Sequence, residues 1–184
     1  MIVDANTYFG RWPFRRLFFA GGAGLSALCR RIGVSTALVT PLAAAFYRDC
    51  LSAVEEMLED PGWDGSLMRA IGSVNPTFPG WEQDLETMAR LGCVGIRLLP
   101  NYHGYKLFDD AALALVRRVH EHGLPVILTI RMQDERSHHP LMPVPAVPVE
   151  DVRFLLREQP VGTYLLSNIS WHEVQALRSE IEVG

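Results

Sequence analysis

The chain has 184 residues, 48% of them hydrophobic and 21% charged, with a net charge of −4 and a pI near 5.8. This is the make-up of a globular domain with a sizeable core, and it argues against a nucleic-acid binder, because the basic residues are scattered rather than gathered on one stripe. Three widely separated cysteines, Cys29, Cys50 and Cys93, sit in apolar segments and predict buried free thiols in a reducing compartment, not a disulfide framework or a metal cluster.

The first strand is predicted near residues 2–5 and runs on through Asn6-Thr7-Tyr8-Phe9-Gly10. A period of two places Asp4, Asn6 and Tyr8 on one face. Next, Arg15-Arg16-Leu17-Phe18-Phe19 and the apolar residues up to Leu28 have the outline of a twin-arginine export signal. Cleavage there would delete the first strand, and the stretch is too short and glycine-rich to span a bilayer. A cytoplasmic protein without membrane association is therefore expected.

Leu25, Leu28, Cys29 and Ile32 have helical spacing and run into Gly33, ahead of a strand at 36–39 that ends in Thr40-Pro41. A third strand fits 69–74 and ends in Asn75-Pro76. The helix through Trp81, Leu85, Met88 and Leu91 stops at Gly92, ahead of a strand at 94–99. The helix through Leu113, Val116, Val119 and His120 stops at Gly123, ahead of a strand at 125–130, and a last strand fits 163–166. Glycine just past a helix adopts a left-handed cap that other residues resist, so these stops mark helix ends. Apolar strands alternating with helices predict a parallel sheet covered on both faces. Four prolines within 140–148 predict an extended wall or lid.

Ligands of parallel α/β folds meet the carboxyl ends of the strands. Those ends carry Asn6 and Tyr8, Arg97, then His103 and Tyr105, and Thr129 with Arg131. Further candidates are Asp134, Glu135, His138 and His139 in the following loop, and Asn168 after the last strand. Arg97 and Arg131 have inward parity, and a guanidinium can clamp a carboxylate through parallel bonds. Their expected counter-charges are Asp4 and either Asp134 or Glu135. An acidic residue beside a histidine fixes its tautomer, which makes Asp134 and Glu135 candidate partners of His138 and His139. Two adjacent histidines in an extended chain point opposite ways, so at most one should face a cavity. His120, His122 and His172 are expected at the surface or at helix ends.

Three stretches sit where a known family carries its motifs: Val74-Asn75-Pro76 with Pro79-Gly80-Trp81, the run Gly95 to Tyr105, and Gly123-Leu124-Pro125-Val126. With the strand-one frame, they make the chain resemble the amidohydrolase-related family (amidohydrolase family 2) of TIM-barrel hydrolases and decarboxylases. The resemblance implies a (β/α)8 barrel, with residues 1–184 as a single, C-terminally truncated domain holding about six of eight β/α units and leaving sheet edges open. It also implies a divalent metal such as zinc, held in that family by an Asp-x-His-x-His first strand. Here Asn6 and Tyr8 stand at those histidines, Arg97 stands for a Lys, and Leu99, Thr129 and Ser167 stand for further histidines. Such side chains are poor zinc ligands, so no metal or other cofactor is expected.

The resemblance thus implies a hydrolase or decarboxylase of a small carboxylated or aromatic substrate. Asn6, Tyr8, Arg97, Tyr105, Thr129, Arg131 and Asn168 would bind that substrate. His103, His138 or His139 would move the proton, assisted by Asp134 and Glu135. The alternatives are an inactive homologue that binds a small anion or a partner subunit, or a metal site rebuilt from Asp134, Glu135, His138 and His139. A small-molecule substrate and a possible homo-oligomer are the expected partners.

Overall fold

The computed structural model describes residues 1–178, apart from the side chain of Glu135; the end that the sequence suggests for the helix after the last strand, at Ile181–Gly184, lies outside the described residues. The protein is a mixed α/β structure built on parallel strands, and it divides into two compact units, Met1–Arg97 and Leu98–Gly184.

The first unit runs β1 (Val3–Phe9), α1 (Gly22–Ile32), β2 (Thr36–Pro41), a 3-10 turn (Leu42–Ala45), α2 (Cys50–Leu58), β3 (Met68–Ala70), β4 (Gly72–Ser73) and α3 (Trp81–Arg90) into β5 (Ile96–Leu98). β2 lies between β1 and β3, and β4 pairs with β5, all parallel. The strand expected at 69–74 is two short pieces separated by Ile71. At Gly72 an added Cβ would lie 2.7 Å from the Met88 sulfur, so α3 packs directly on backbone there.

β1 is longer than expected and carries a bulge: Asp4 pairs with Ala37 but Thr7 with Val39. The alternation predicted for Asp4, Asn6 and Tyr8 is therefore broken between the first and the others. The Asp4 carboxylate turns back to accept from the Asn6 N–H at 2.9 Å.

The second unit runs α4 (Pro100–His103), α5 (Asp110–Glu121), β6 (Val126–Thr129), a 3-10 turn (Glu135–Ser137), α6 (Val149–Glu158), β7 (Tyr164–Ser167) and α7 (Trp171–Ala176). β6 and β7 are parallel, with Val126 opposite Tyr164 and Thr129 opposite Ser167. β6 is buried throughout, which explains its unbroken apolar sequence. Its cover includes Ala112, Leu115, Val116 and Val119, the apolar stripe of α5.

The predicted glycine stops have the expected geometry, with φ of 78° at Gly33, 82° at Gly92 and 69° at Gly123. His120 lies in the last turn of α5, at a helix end as expected, but it is not a surface ring. Its ring meets Tyr164 edge-on at 5.0 Å, and burial lowers its pKa.

All three cysteines are buried and free, and burial pushes the Cys50 thiol up to about 12 and Cys93 up to about 11. Both stay protonated and inert at neutral pH. Among the described residues, no helix is long and apolar enough to cross a membrane.

Candidate functional site

The densest polar arrangement of the first unit is centred on Arg97. Every residue of β5 is buried, and Arg97, at 0% exposure, is among the largest fully buried side chains. Its Nε donates to Thr40 Oγ1 at 2.8 Å. Its Nη1 donates to Asn6 Oδ1 at 3.0 Å and to the Tyr8 hydroxyl at 2.9 Å, and Nη2 reaches the Ala5 carbonyl at 3.4 Å. The guanidinium also lies 4.7 Å from the centre of the Tyr8 ring.

These acceptors are neutral oxygens. Burial lowers the pKa of Arg97, while Tyr8 and the Asp4 carboxylate favour its charged form. An arginine, the most basic of the side chains, keeps its proton in such a setting. The inward parity read from β5 is correct, and the charge is fixed behind Asn6 and Tyr8.

Those bonds set the direction of the outer donors. Tyr8 oxygen accepts from Arg97, so its own O–H is directed elsewhere. Asn6 Oδ1 accepts from the same nitrogen, which turns Nδ2 away from the guanidinium. Both residues are half-buried. A cationic donor behind a hydroxyl polarises it and strengthens the bond it can give.

At Asn6 and Tyr8 the surroundings are electrostatically unfavourable to a divalent metal. Their oxygens already face a buried cation at about 3 Å, and a second cation between them would be repelled in a low-dielectric setting. Among the described residues, no three His, Cys, Asp or Glu side chains converge as a metal site requires.

In the second unit, Ser167 Oγ donates to Thr129 Oγ1 at 3.2 Å, and both residues are buried. Arg131 follows β6. Its Nη1 donates to the Asn168 carbonyl at 2.7 Å and to Glu173 Oε2 at 3.0 Å, while Nη2 binds the other Glu173 oxygen. Asn168, with φ of 56°, returns a bond from Nδ2 to the Arg131 carbonyl at 2.7 Å. Among the described side chains the counter-charge of Arg131 is therefore Glu173, not Asp134 as expected. Asp134 is held by Arg136 at 2.7 and 2.9 Å, which keeps its carboxyl well below the usual range, and Arg136 rather than a histidine orients it. The Glu135 side chain lies outside the described residues.

Glu173 also accepts from the Ser170 N–H in a capping box that starts α7. Burial pushes its carboxyl up, but the bonds from Arg131 and Ser170 outweigh that and hold it at about 2. A folded value below the unfolded one stabilises above the unfolded pKa and is lost as pH falls from about 4.5 towards 2. Allowing for partial exposure, E173Q should cost about 1–3 kcal/mol at neutral pH and flatten that acid limb. Urea unfolding from neutral pH down to about pH 3 checks this; parallel curves for the two proteins would contradict it.

His103 closes α4, with Gly104 at φ 75° beyond it and its ring 6.3 Å from that of buried Tyr105. The segment after β5 is thus a helical turn capped by glycine. Asn101 Nδ2 donates to the Pro145 carbonyl at 2.7 Å, and the Val147 N–H to the Ile130 carbonyl at 2.8 Å. These bonds pin the proline-rich segment as a wall. His138 and His139 both line a cleft of about 420 Å³ beside Pro140, Pro143 and Pro145. The chain turns after them: the Met142 N–H bonds the His139 carbonyl at 2.8 Å, and the Leu141 N–H bonds His139 Nδ1 at 3.2 Å.

Two partners went unread in the sequence. Thr40 is an uncharged residue 57 positions from Arg97, and nothing local marks it. Glu173 was signalled by Ser170-x-x-Glu173, a helix-start pattern that gives no hint of a second role for its carboxylate.

No family model matches the chain, and no curated protein matches its sequence. Solved structures share its fold. A probable 2-pyrone-4,6-dicarboxylic acid hydrolase from Acinetobacter baumannii, solved with citric acid bound, superposes with a TM-score of 0.59 at 14% identity, over 99% of this chain and 67% of that one. The 2,6-dihydroxybenzoate decarboxylase from Rhizobium gives 0.57 at 14% identity, over 90% of this chain and 65% of that one. An amidohydrolase from Mycobacterium avium subsp. paratuberculosis K-10 gives 0.56 at 15% identity, over 86% of this chain and 51% of that one. The chain thus spans between half and two thirds of these structures, and at such identities the likeness is one of fold.

Proposed function

We propose that the protein is an amidohydrolase-type (β/α)-barrel hydrolase or decarboxylase of a small carboxylated aromatic substrate. In it the charge of Arg97 takes the part that a metal plays in the relatives implied by the sequence resemblance. The single observation behind this is the buried guanidinium donating to both Asn6 and Tyr8. Support comes from the carboxylic acids named for two of the fold neighbours, a pyrone dicarboxylate and a dihydroxybenzoate.

A substrate carboxylate would accept from the Tyr8 O–H and from Asn6 Nδ2, with the charge of Arg97 acting through both groups. Donors fixed before the substrate arrives need no reorganisation as charge develops, which is how such groups lower a barrier. Which group moves the proton rests on the sequence argument alone, with His103, His138 and His139 as the candidates. Asp134 stays ionised beside Arg136, and Arg131 is already bound to Glu173, which leaves the substrate carboxylate to Asn6 and Tyr8.

The test is a turnover screen of the full chain, in the presence of chelator, on benzoates and pyrone carboxylates, following carbon dioxide release and ring opening. Turnover of at least one carboxylate, absent from its carboxamide analogue, is expected. No turnover of any carboxylate, or turnover restored only by zinc, would overturn the proposal.

A second reading, an inactive homologue that binds a small anion, draws on the same cationic centre. It predicts carboxylate binding without turnover.

A further inference from the structure

A second cationic feature of the first unit plays no part in the site just described. The connection from β1 to α1, Gly10 to Ala20, holds Arg11, Arg15 and Arg16 and no acidic residue, in a chain whose net charge is −4. All three arginines are exposed and line one cleft of about 570 Å³ together with Trp12 and Phe14. That volume is of the size that takes small ligands. None of the three guanidiniums has an ion pair, a side-chain hydrogen bond or a ring partner among the described residues.

The loop is built, not slack. Its neck is closed by the Gly10 N–H bonding the Ala20 carbonyl at 2.7 Å, and Trp12 and Arg15 form an antiparallel bridge across the Pro13-Phe14 turn. Trp12 is 8% exposed and packs on Phe46 at 5.3 Å and on Phe14 at 6.2 Å, which anchors the turn. Like charges held together on a rigid loop repel one another, and an anion that bridges them relieves the repulsion at little ordering cost.

The neighbouring cleft narrows the class of anion. It measures about 350 Å³, shares Arg11 and Pro13 with the first, and is walled by Phe9, Phe46 and Tyr47. Its charged rim beyond Arg11 is Glu56, which faces the Tyr47 hydroxyl at 3.5 Å. A carboxylate there disfavours anions on that side and leaves the negative groups to Arg15 and Arg16. Phe46 and Tyr47, each more than a third exposed, present ring faces suited to a flat apolar body.

We propose that the Gly10–Ala20 loop is a binding site for a small aromatic molecule carrying two or more negative charges, with its anionic groups on Arg15 and Arg16 and its ring against the aromatic walls. The proposal is independent of the roles given to Asn6, Tyr8 and Arg97.

The experiment is calorimetric titration of the full chain with benzene-1,3,5-tricarboxylate, set against benzoate and inorganic pyrophosphate. The tricarboxylate should bind with a Kd on the order of 0.1 mM at low salt. It should weaken in about 0.5 M salt, because exposed charges are then screened. Benzoate, with one charge, and pyrophosphate, with no ring, should each bind at least about tenfold more weakly. The double variant R15Q/R16Q should lose about 10–100-fold in affinity with an unchanged melting temperature, whereas R117Q, an exposed arginine of α5, should bind as wild type. Y8F should also retain the binding, which separates this site from the one proposed for the substrate. Undiminished binding in R15Q/R16Q, loss of binding in Y8F, or equal affinity for pyrophosphate would each overturn the proposal.

Discussion

Arg97→Met should lower stability by about 2–4 kcal/mol and remove measurable carboxylate binding, whereas Arg97→Lys should keep more of the stability than of the binding. Two effects oppose each other. Burying a guanidinium costs several kcal/mol of desolvation, which methionine avoids. Methionine also leaves the acceptors of Thr40, Asn6 and Tyr8 without their donor. Asn6 and Tyr8 are half-buried and can recover water, but Thr40 is fully buried and cannot. The unmet hydroxyl and the lost strand-to-strand tie therefore win, and the variant is less stable. Lysine restores the charge as a compact ammonium, but it lacks the planar fork that spans β1 and β2 at once. Urea unfolding and calorimetric titration with a benzoate read the two effects separately. A methionine variant as stable as wild type that still binds the benzoate would refute both halves.

Tyr8→Phe should leave the fold intact and reduce carboxylate affinity or turnover by about 10–100-fold. The ring that faces Arg97 at 4.7 Å is retained, as is the packing of β1, and Asn6 still accepts from the same guanidinium nitrogen, so losing the bond to the Tyr8 hydroxyl should lower stability by about 1–2 kcal/mol. Only the hydroxyl is lost. A hydrogen bond to a charged group contributes about 1.5–3 kcal/mol, which sets the size of the expected loss. Asn6→Ala should act in the same direction, with a larger effect on stability because Asn6 also sits at the β1 bulge. An unchanged affinity in Tyr8→Phe would mean that the hydroxyl points away from the ligand.

Much of the fold is legible in the sequence because its signals are local. Gly33, Gly92 and Gly123 end helices with left-handed φ, as their spacing predicts, and the unbroken apolar run at β6 is buried on both faces. Arg97 is legible as inward by parity on a strand otherwise made of apolar residues. Its bond to Asn6, 91 positions earlier and on a strand of the other sheet, is not legible; the charged Asp4 of the same strand is expected in its place. What fails is what depends on tertiary choice or on short irregular turns. The break at Ile71 follows from α3 pressing on Gly72, a close approach that a sequence pattern does not encode. Arg131 finds its carboxylate 42 residues downstream in α7, while the nearer Asp134 is taken by Arg136.

The central claim is that a buried guanidinium, not a metal ion, supplies the positive charge behind the carboxylate site. The most direct measurement is the affinity of the full chain for a benzoate after exhaustive chelation, and again with equimolar zinc. The same Kd in both conditions, weakened about 10–100-fold in Tyr8→Phe and abolished in Arg97→Met, is the predicted result. Binding that vanishes on chelation and returns with zinc, whatever the residue at position 97, would contradict it.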